Sequence, residues 1–217
     1  MNPKDIVRNG YDKVSYAYQG DEIDDGYAPQ FSCLEEVTEL IRRLPPGSPV
    51  LDLGCGCGIP TAKAFADHGF RLTGIDISPV QISRARKLVP NALFLCEDMV
   101  QLDLPVASFD AVVSLYSIIH VPLAEQPGFF GNVRRWLKDG GYFLVTVGSD
   151  SWTGTETDWL NVKGATMYWS HTDKDSYQQM LIEHGFTILW DRFIPEGDAG
   201  HVLMLARAAK VSTGRAV

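Results

Sequence analysis

The chain has 217 residues, 45% of them hydrophobic and 21% charged, with a formal net charge of -8 at pH 7. That is enough to bury one full core in a globular domain, and no apolar run approaches the roughly 18 residues a membrane span needs. The acidic balance argues against nucleic acid as partner, since that binding rests on Lys and Arg neutralising phosphates. Four cysteines, Cys33, Cys55, Cys57 and Cys96, have the spacing of neither a disulfide framework nor a paired zinc site. Nor does the N-terminus look like a signal or transit peptide. The expectation is a single-domain cytoplasmic protein, monomer or homodimer, with a small-molecule partner, no membrane, no nucleic acid and no metal.

Residues 1 to 45 read as an N-terminal helical cap. From residue 46 to 148, apolar runs alternate with longer helical patterns: "PVLDLG" (49 to 54), "RLTGIDI" (71 to 77), "NALFLCED" (91 to 98), "SFDAVVSLY" (108 to 116) and "GGYFLVTVG" (140 to 148). Continuous apolar runs of this length are strands covered on both faces, and the intervals suit crossover helices, which predicts a doubly wound, mostly parallel sheet. Pro60 marks one helix start, Ser78 caps "PVQISRARKLV", and "QPGFFGNVRRWLKDGG" opens at a proline and stops at glycines. Residues 149 to 171 read as a polar, aromatic-rich loop. A helix near 172 to 184 and two strand-like runs, "FTILWDRFI" and "HVLMLARA", follow, the last two pairing as an antiparallel hairpin across "PEGDAG". The tail, 209 to 217, is expected to fray.

The chemistry gathers at "VLDLGCGCGIPT", residues 50 to 61. The dinucleotide fingerprint would need a third glycine at position 59, which is Ile59, and no Gly-Lys-Ser/Thr triplet completes a phosphate loop. Cys55 and Cys57 have no second pair to complete a metal site. Gly54, Gly56 and Gly58 therefore form a turn that a ligand approaches closely without needing to present a phosphate. Asp76 ends the second strand 22 positions after Gly54, where a carboxylate accepts from both hydroxyls of a ribose. Asp98, at the end of the third strand, is placed for an adenine amino group, and Asp52, just before the glycines, for a cation. Together they describe a ligand with an adenosine part and a zwitterionic part.

These motifs resemble the class I, Rossmann-like S-adenosylmethionine-dependent methyltransferases, particularly their small-molecule branch, over roughly residues 10 to 208. "VLDLGCGCG" is similar to the family's first motif, "GIDIS" to its ribose-binding strand end, "CEDM" to its adenine-binding turn, "FDAVVSLYSIIHV" to its fourth strand and following turn, and "WLKDGGYFLVTV" to its fifth strand. The resemblance implies a seven-stranded sheet ending in a reversed hairpin, with S-adenosylmethionine as methyl donor and S-adenosylhomocysteine as product. It implies cofactor contacts from Asp52, Gly54, Cys55, Gly56, Gly58, Asp76, Ile77, Asp98, Met99 and Ser114. "YDKVSYAY" resembles the segment that folds over the cofactor, with Tyr11 or Tyr18 closing the site.

His120, after the fourth strand, is a candidate proton acceptor because histidine titrates near neutrality, although a structural hydrogen bond would also explain it. The stretch from 151 to 171 holds Trp152, Trp159, Met167, Tyr168, Trp169 and His171. So much aromatic surface in one connection reads as a lid over the acceptor, with Glu156 or His171 as polar contact; aromatics sealing the sheet edge are the plainer alternative. No Asn/Asp-Pro-Pro-Tyr tetrapeptide follows the fourth strand, where "SLYS" stands, which argues against a DNA amino-group methyltransferase. The expected activity is methyl transfer to a small acceptor through oxygen, nitrogen, sulfur or carbon. A non-catalytic cofactor-binding subunit, or a methyltransferase of protein or nucleic acid, are the alternatives. A nicotinamide dehydrogenase is disfavoured by the glycine spacing.

Overall fold

The computed structural model describes residues 2–22 and 33–210. Five strands lie parallel: β1 (Pro49–Leu53), β2 (Arg71–Asp76), β3 (Leu93–Cys96), β4 (Phe109–Ser114) and β5 (Leu137–Gly148). The antiparallel hairpin of β8 (Phe186–Glu196) and β9 (Ala199–Ala208) joins β5 to complete a seven-stranded sheet, order β3-β2-β1-β4-β5-β9-β8. The expected mostly parallel, doubly wound sheet with a reversed terminal hairpin is therefore the fold observed. Strand order reverses between β1 and β4, the switch point beside which such sheets bind ligands at their carboxyl ends.

The continuous apolar runs are explained by where alternate residues go. Leu51, Leu53, Val112, Phe143 and Val145 face one core, completed by α5 (Gln126–Trp136) and α6 (Lys174–Glu183). Val50, Ala111, Val113 and Leu144 face the other, beneath α2 (Leu34–Arg43), α3 (Thr61–Asp67) and α4 (Pro79–Leu88). With helices on both faces, both sides of a central strand are mainly apolar, and Asp52, Ser114 and Thr146 are buried polar exceptions. The Ser78 side chain caps α4 as expected, accepting from Gln81 N at 3.1 Å.

Three expectations change. Residues 149 to 171 are not a loop: β6 (Trp152–Thr157) and β7 (Thr166–His171) pair as a separate two-stranded sheet. Almost every residue of β6 is exposed, so no apolar alternation betrays it, and the hairpin is held instead by β7 packing on α1 (Pro3–Tyr18) through Val7, Val14 and Met167. Second, α5 ends at Trp136, and Gly140 and Gly141 lie inside β5. Gly140 takes a φ of 80° beside a register shift opposite Phe109 and Ala111, so these glycines make a bulge rather than a helix stop. Third, the segment between β3 and β4 carries no helix. Part of the expected cap, residues 23–32, and most of the expected frayed tail, residues 211–217, lie outside the described residues.

Candidate active site

The glycine loop leaves β1 by a backbone path that side chains resist: Gly54, Gly56 and Gly58 have φ of 79°, 54° and 85°. Gly54 N and Cys55 N donate to Ile75 O at 2.8 and 2.9 Å, tying the turn to the end of β2. A Cβ on Gly54 would stand 2.2 Å from Ser117 Cβ, whereas one on Gly56 would meet nothing within 4 Å. Gly58 instead lets Val89, Phe94 and Ala85 approach, so its place is in helix–sheet packing and it lines neither cleft.

Two contiguous clefts open at the carboxyl ends of the strands, sharing Tyr11, Tyr18, Gly54, Gly56, Tyr116 and His120. The first, about 680 Å³, runs along β2 and β3 and is bordered by Asp76, Ile77, Asp98 and Met99. Asp76 accepts from Gly56 N through Oδ2 and from Ser78 N through Oδ1, both at 2.8 Å. Burial pushes its carboxyl up to about 6, while those two amides pull the other way. The second cleft, about 1650 Å³, reaches from Asp52 and Cys55 past Trp159 and Trp169 to Glu196 and His201. Asp52 is 2% exposed, its Oδ2 has no hydrogen-bond partner among the described residues, and burial, then the charge of Asp76, raise its carboxyl to about 8.

Helix α1 roofs both clefts and is fastened along its length. Near its start, Lys4 Nζ bridges Asp98 Oδ2 at 2.7 Å and Glu125 Oε2 at 2.5 Å. Midway, Ser78 Oγ donates to Asp12 Oδ1 at 2.5 Å. At its end, the buried Arg84 donates from Nη1 to Ser15 O at 2.8 Å and from Nη2 to Gln19 O and Gly20 O at 2.7 and 2.8 Å. Its inner face presents Tyr11 and Tyr18, packed on each other and on Trp159 at ring distances of 5.5 to 5.8 Å.

Residues 50–141 match the family described as a methyltransferase domain. A 2-methyl-6-phytyl-1,4-hydroquinone methyltransferase of Synechocystis sp. is 41% identical over 162 residues, 65% of this chain and 50% of the relative. Over the matched residues the chain carries a domain of the class I, Rossmann-like S-adenosylmethionine-dependent methyltransferases. A phosphoethanolamine N-methyltransferase of Arabidopsis thaliana is 32% identical over 169 residues, 71% of this chain and 32% of that one. The crystal structure of a magnesium protoporphyrin IX methyltransferase from Synechocystis PCC 6803 with bound S-adenosylhomocysteine superposes with a TM-score of 0.70 at 21% identity, covering 96% of this chain and all of that one. The chain spans half or less of the length of the first curated relatives it matches.

The residues present at the two clefts fit S-adenosylmethionine. The orphaned Asp52 Oδ2 suits an ammonium group, and the open space over Gly56 admits a ligand against the backbone. Asp76 has spent one acceptor site per oxygen and keeps capacity for two ribose hydroxyls. Asp98 is less free than its sequence position suggests, since Lys4 and Val100 N already bond its two oxygens. Ser114 lines neither cleft: its hydroxyl bonds Ser117 Oγ at 2.7 Å. No helix among the described residues is long and apolar enough to cross a membrane.

Of the expected acceptor residues, Glu156, Trp159 and Trp169 line the second cleft, whereas Trp152, Tyr168 and His171 line neither. The Nδ1 of His171 bonds Asp150 O at 2.7 Å. His120 lies between the clefts with both nitrogens engaged. Nδ1 contacts Tyr168 O at 2.7 Å, so that nitrogen carries the proton, and Tyr11 Oη donates to Nε2 at 3.0 Å. Burial lowers its pKa to about 4, so it is neutral at pH 7 and holds the roof helix to β7. Sequence reasoning missed Lys4 and Arg84, whose partners come from distant segments, and the pair Glu196 and His201, five residues apart across a hairpin turn.

Proposed function

We propose that this protein transfers a methyl group from S-adenosylmethionine to a small aromatic or apolar acceptor, as a cytoplasmic enzyme. The carrying observation is the continuity of the two clefts: a groove bordered by Asp76 and Asp98 and fitted to an adenosine opens, past the glycine loop, into a chamber that holds Asp52 for an ammonium and is walled by Tyr11, Tyr116, Trp159 and Trp169. Bound S-adenosylmethionine supplies a methyl group already activated by its cationic sulfur. What remains for the chain is placement. Asp52 and Asp76 fix the two ends of the cofactor, α1 covers it from water, and the aromatic walls hold the acceptor in line with the methyl. The relative named for hydroquinone methylation supports an aromatic acceptor.

The test is calorimetric titration with S-adenosylmethionine and S-adenosylhomocysteine, followed by a product assay against phenols, thiols, amines and carboxylates. Micromolar binding with turnover on one acceptor class supports the reading. Tight binding with no turnover on the panel favours a cofactor-binding subunit or a macromolecular substrate instead.

A further inference from the structure

We propose that His201, held by Glu196, is the general base of the acceptor cleft, and that the acceptor enters as an uncharged phenol or hydroquinone. This rests on the methyltransferase reading above. Three histidines lie near the chamber, and their hydrogen bonds separate them. His120 has both nitrogens engaged, and His171 lies outside the cleft lining. His201 lines the cleft, its Nδ1 meets Glu196 Oε1 at 2.7 Å, and its Nε2 has no hydrogen-bond partner among the described residues. A carboxylate behind one nitrogen fixes the tautomer so that the other nitrogen is the acceptor, and it stabilises the imidazolium once a proton arrives. The groups facing His201 are Glu196 from β8, Tyr116 after β4, with ring centres 5.3 Å apart, His171 and Trp169 from β7 at 6.1 and 6.4 Å, and the buried His120, with which it interacts electrostatically. Tyr116 has a φ of 51°, a strained conformation for a tyrosine, and lines both clefts.

The cleft also defines what it admits. Glu156, Asp158 and Glu196 line it, and no Lys or Arg does so among the described residues. An acceptor bearing a phosphate or carboxylate would face like charge without a counter-ion, which separates this chamber from one suited to phosphoethanolamine. A phenol cannot enter already ionised for the same reason, so its proton must be removed inside. Trp169 adds a buried indole N–H without a partner among the described residues, in the same wall, suited to a second oxygen on the acceptor ring. In the reaction, an oxygen lone pair of the acceptor, or the ring carbon it activates, forms the new bond to the methyl carbon. The carbon–sulfur bond breaks with its electron pair going to sulfur. The displaced proton goes to His201 Nε2, so the positive charge that began on the sulfonium ends on an imidazolium beside Glu196, to be released to solvent.

The experiment compares the wild type with His201→Gln and Glu196→Gln. Calorimetry with S-adenosylhomocysteine comes first: wild-type protein that binds none overturns the methyltransferase reading itself, whereas equal affinity in all three proteins isolates the base. With methylhydroquinone and catechol as acceptors, His201→Gln is expected to lower kcat on the order of 100-fold or more with KM little changed, and to abolish the acidic limb of the pH profile. Glu196→Gln, acting by position, should move that limb to lower pH. Independently of turnover, p-nitrophenol bound to the S-adenosylhomocysteine complex at pH 6 should absorb as phenolate in the wild type and as phenol in His201→Gln. An unchanged pH profile and spectrum in His201→Gln, turnover confined to amines or phosphoethanolamine, or no binding of any phenol by the cofactor-loaded protein overturns the proposal.

Discussion

Replacing Gly54 with alanine tests whether the glycine loop is built as described. The added Cβ would lie 2.2 Å from Ser117 Cβ and 2.8 Å from its Oγ, well inside the roughly 3.5 Å at which carbon atoms touch. Ser117 cannot simply rotate away: its Oγ donates to Leu53 O and takes a bond from Ser114 Oγ, each 2.7 Å long and buried. Displacing it leaves buried groups unpaired at about 1–3 kcal/mol each, and the positive φ adds about 1 kcal/mol. The sum is roughly 3–7 kcal/mol, which in a domain of this size lowers Tm on the order of 10 °C. Gly56→Ala is the matched control, since its Cβ meets no protein atom within 4 Å while Gly56 borders both clefts. It should cost only about 1 kcal/mol of strain yet weaken S-adenosylhomocysteine binding, because the methyl occupies ligand space. Thermal unfolding and calorimetry of the two variants decide the matter. Equal, small shifts in Tm for both would refute the packing described here, and unaltered affinity in Gly56→Ala would refute the placement of the cofactor.

The remaining predictions follow from single side chains. Asp52 titrates near 8 when folded against 3.8 for an ordinary aspartate, so the stability it contributes is fully present below about pH 4 and is lost as pH rises toward 8; Asp52→Asn should flatten that fall, as urea titrations from pH 5 to 8 would record. Cofactor binding should ionise the same group and release about one proton near pH 7, measured by calorimetry in buffers of different ionisation heat, and no release would contradict the pairing with an ammonium. Tyr11→Phe leaves the buried His120 Nε2 without a donor, and should destabilise by about 1–2 kcal/mol while speeding hydrogen exchange in α1. Arg84→Met strands the carbonyls of Ser15, Gln19 and Gly20; the end of α1 should exchange faster while β1 and β4 keep their protection, and global loss of protection would refute a local fastening.

Much of this was legible in the sequence because it is written in local pattern. The strands β1, β2 and β4 show as apolar runs because helices cover both their faces, and the reversed hairpin shows as two strand-like runs separated by the turn "PEGDAG". Asp52, Asp76 and the glycines were legible because strand ends and turn conformations restrict residue type. β6 was hidden because a strand exposed almost throughout leaves no alternation to read, and its pairing depends on β7 and α1. Gly140 and Gly141 imitate a helix stop because a bulge and a helix terminus both ask for a positive φ. Lys4, Arg84 and the pair of Glu196 and His201 acquire their roles only when distant segments meet, so nothing in their own neighbourhoods marks them. His171 shows the converse: its aromatic surroundings suggested chemistry, yet it lies at the end of β7, its Nδ1 is taken by Asp150 O, and it lines neither cleft.

The central claim is that the groove between Asp52, the glycine loop and Asp76 holds S-adenosylmethionine. Calorimetric titration of the wild type and Asp76→Ala with S-adenosylhomocysteine tests it most directly. The account predicts micromolar binding at one site in the wild type and none measurable in Asp76→Ala, with the fold of the variant intact by circular dichroism; no binding in the wild type, or equal affinity in both proteins, would contradict it.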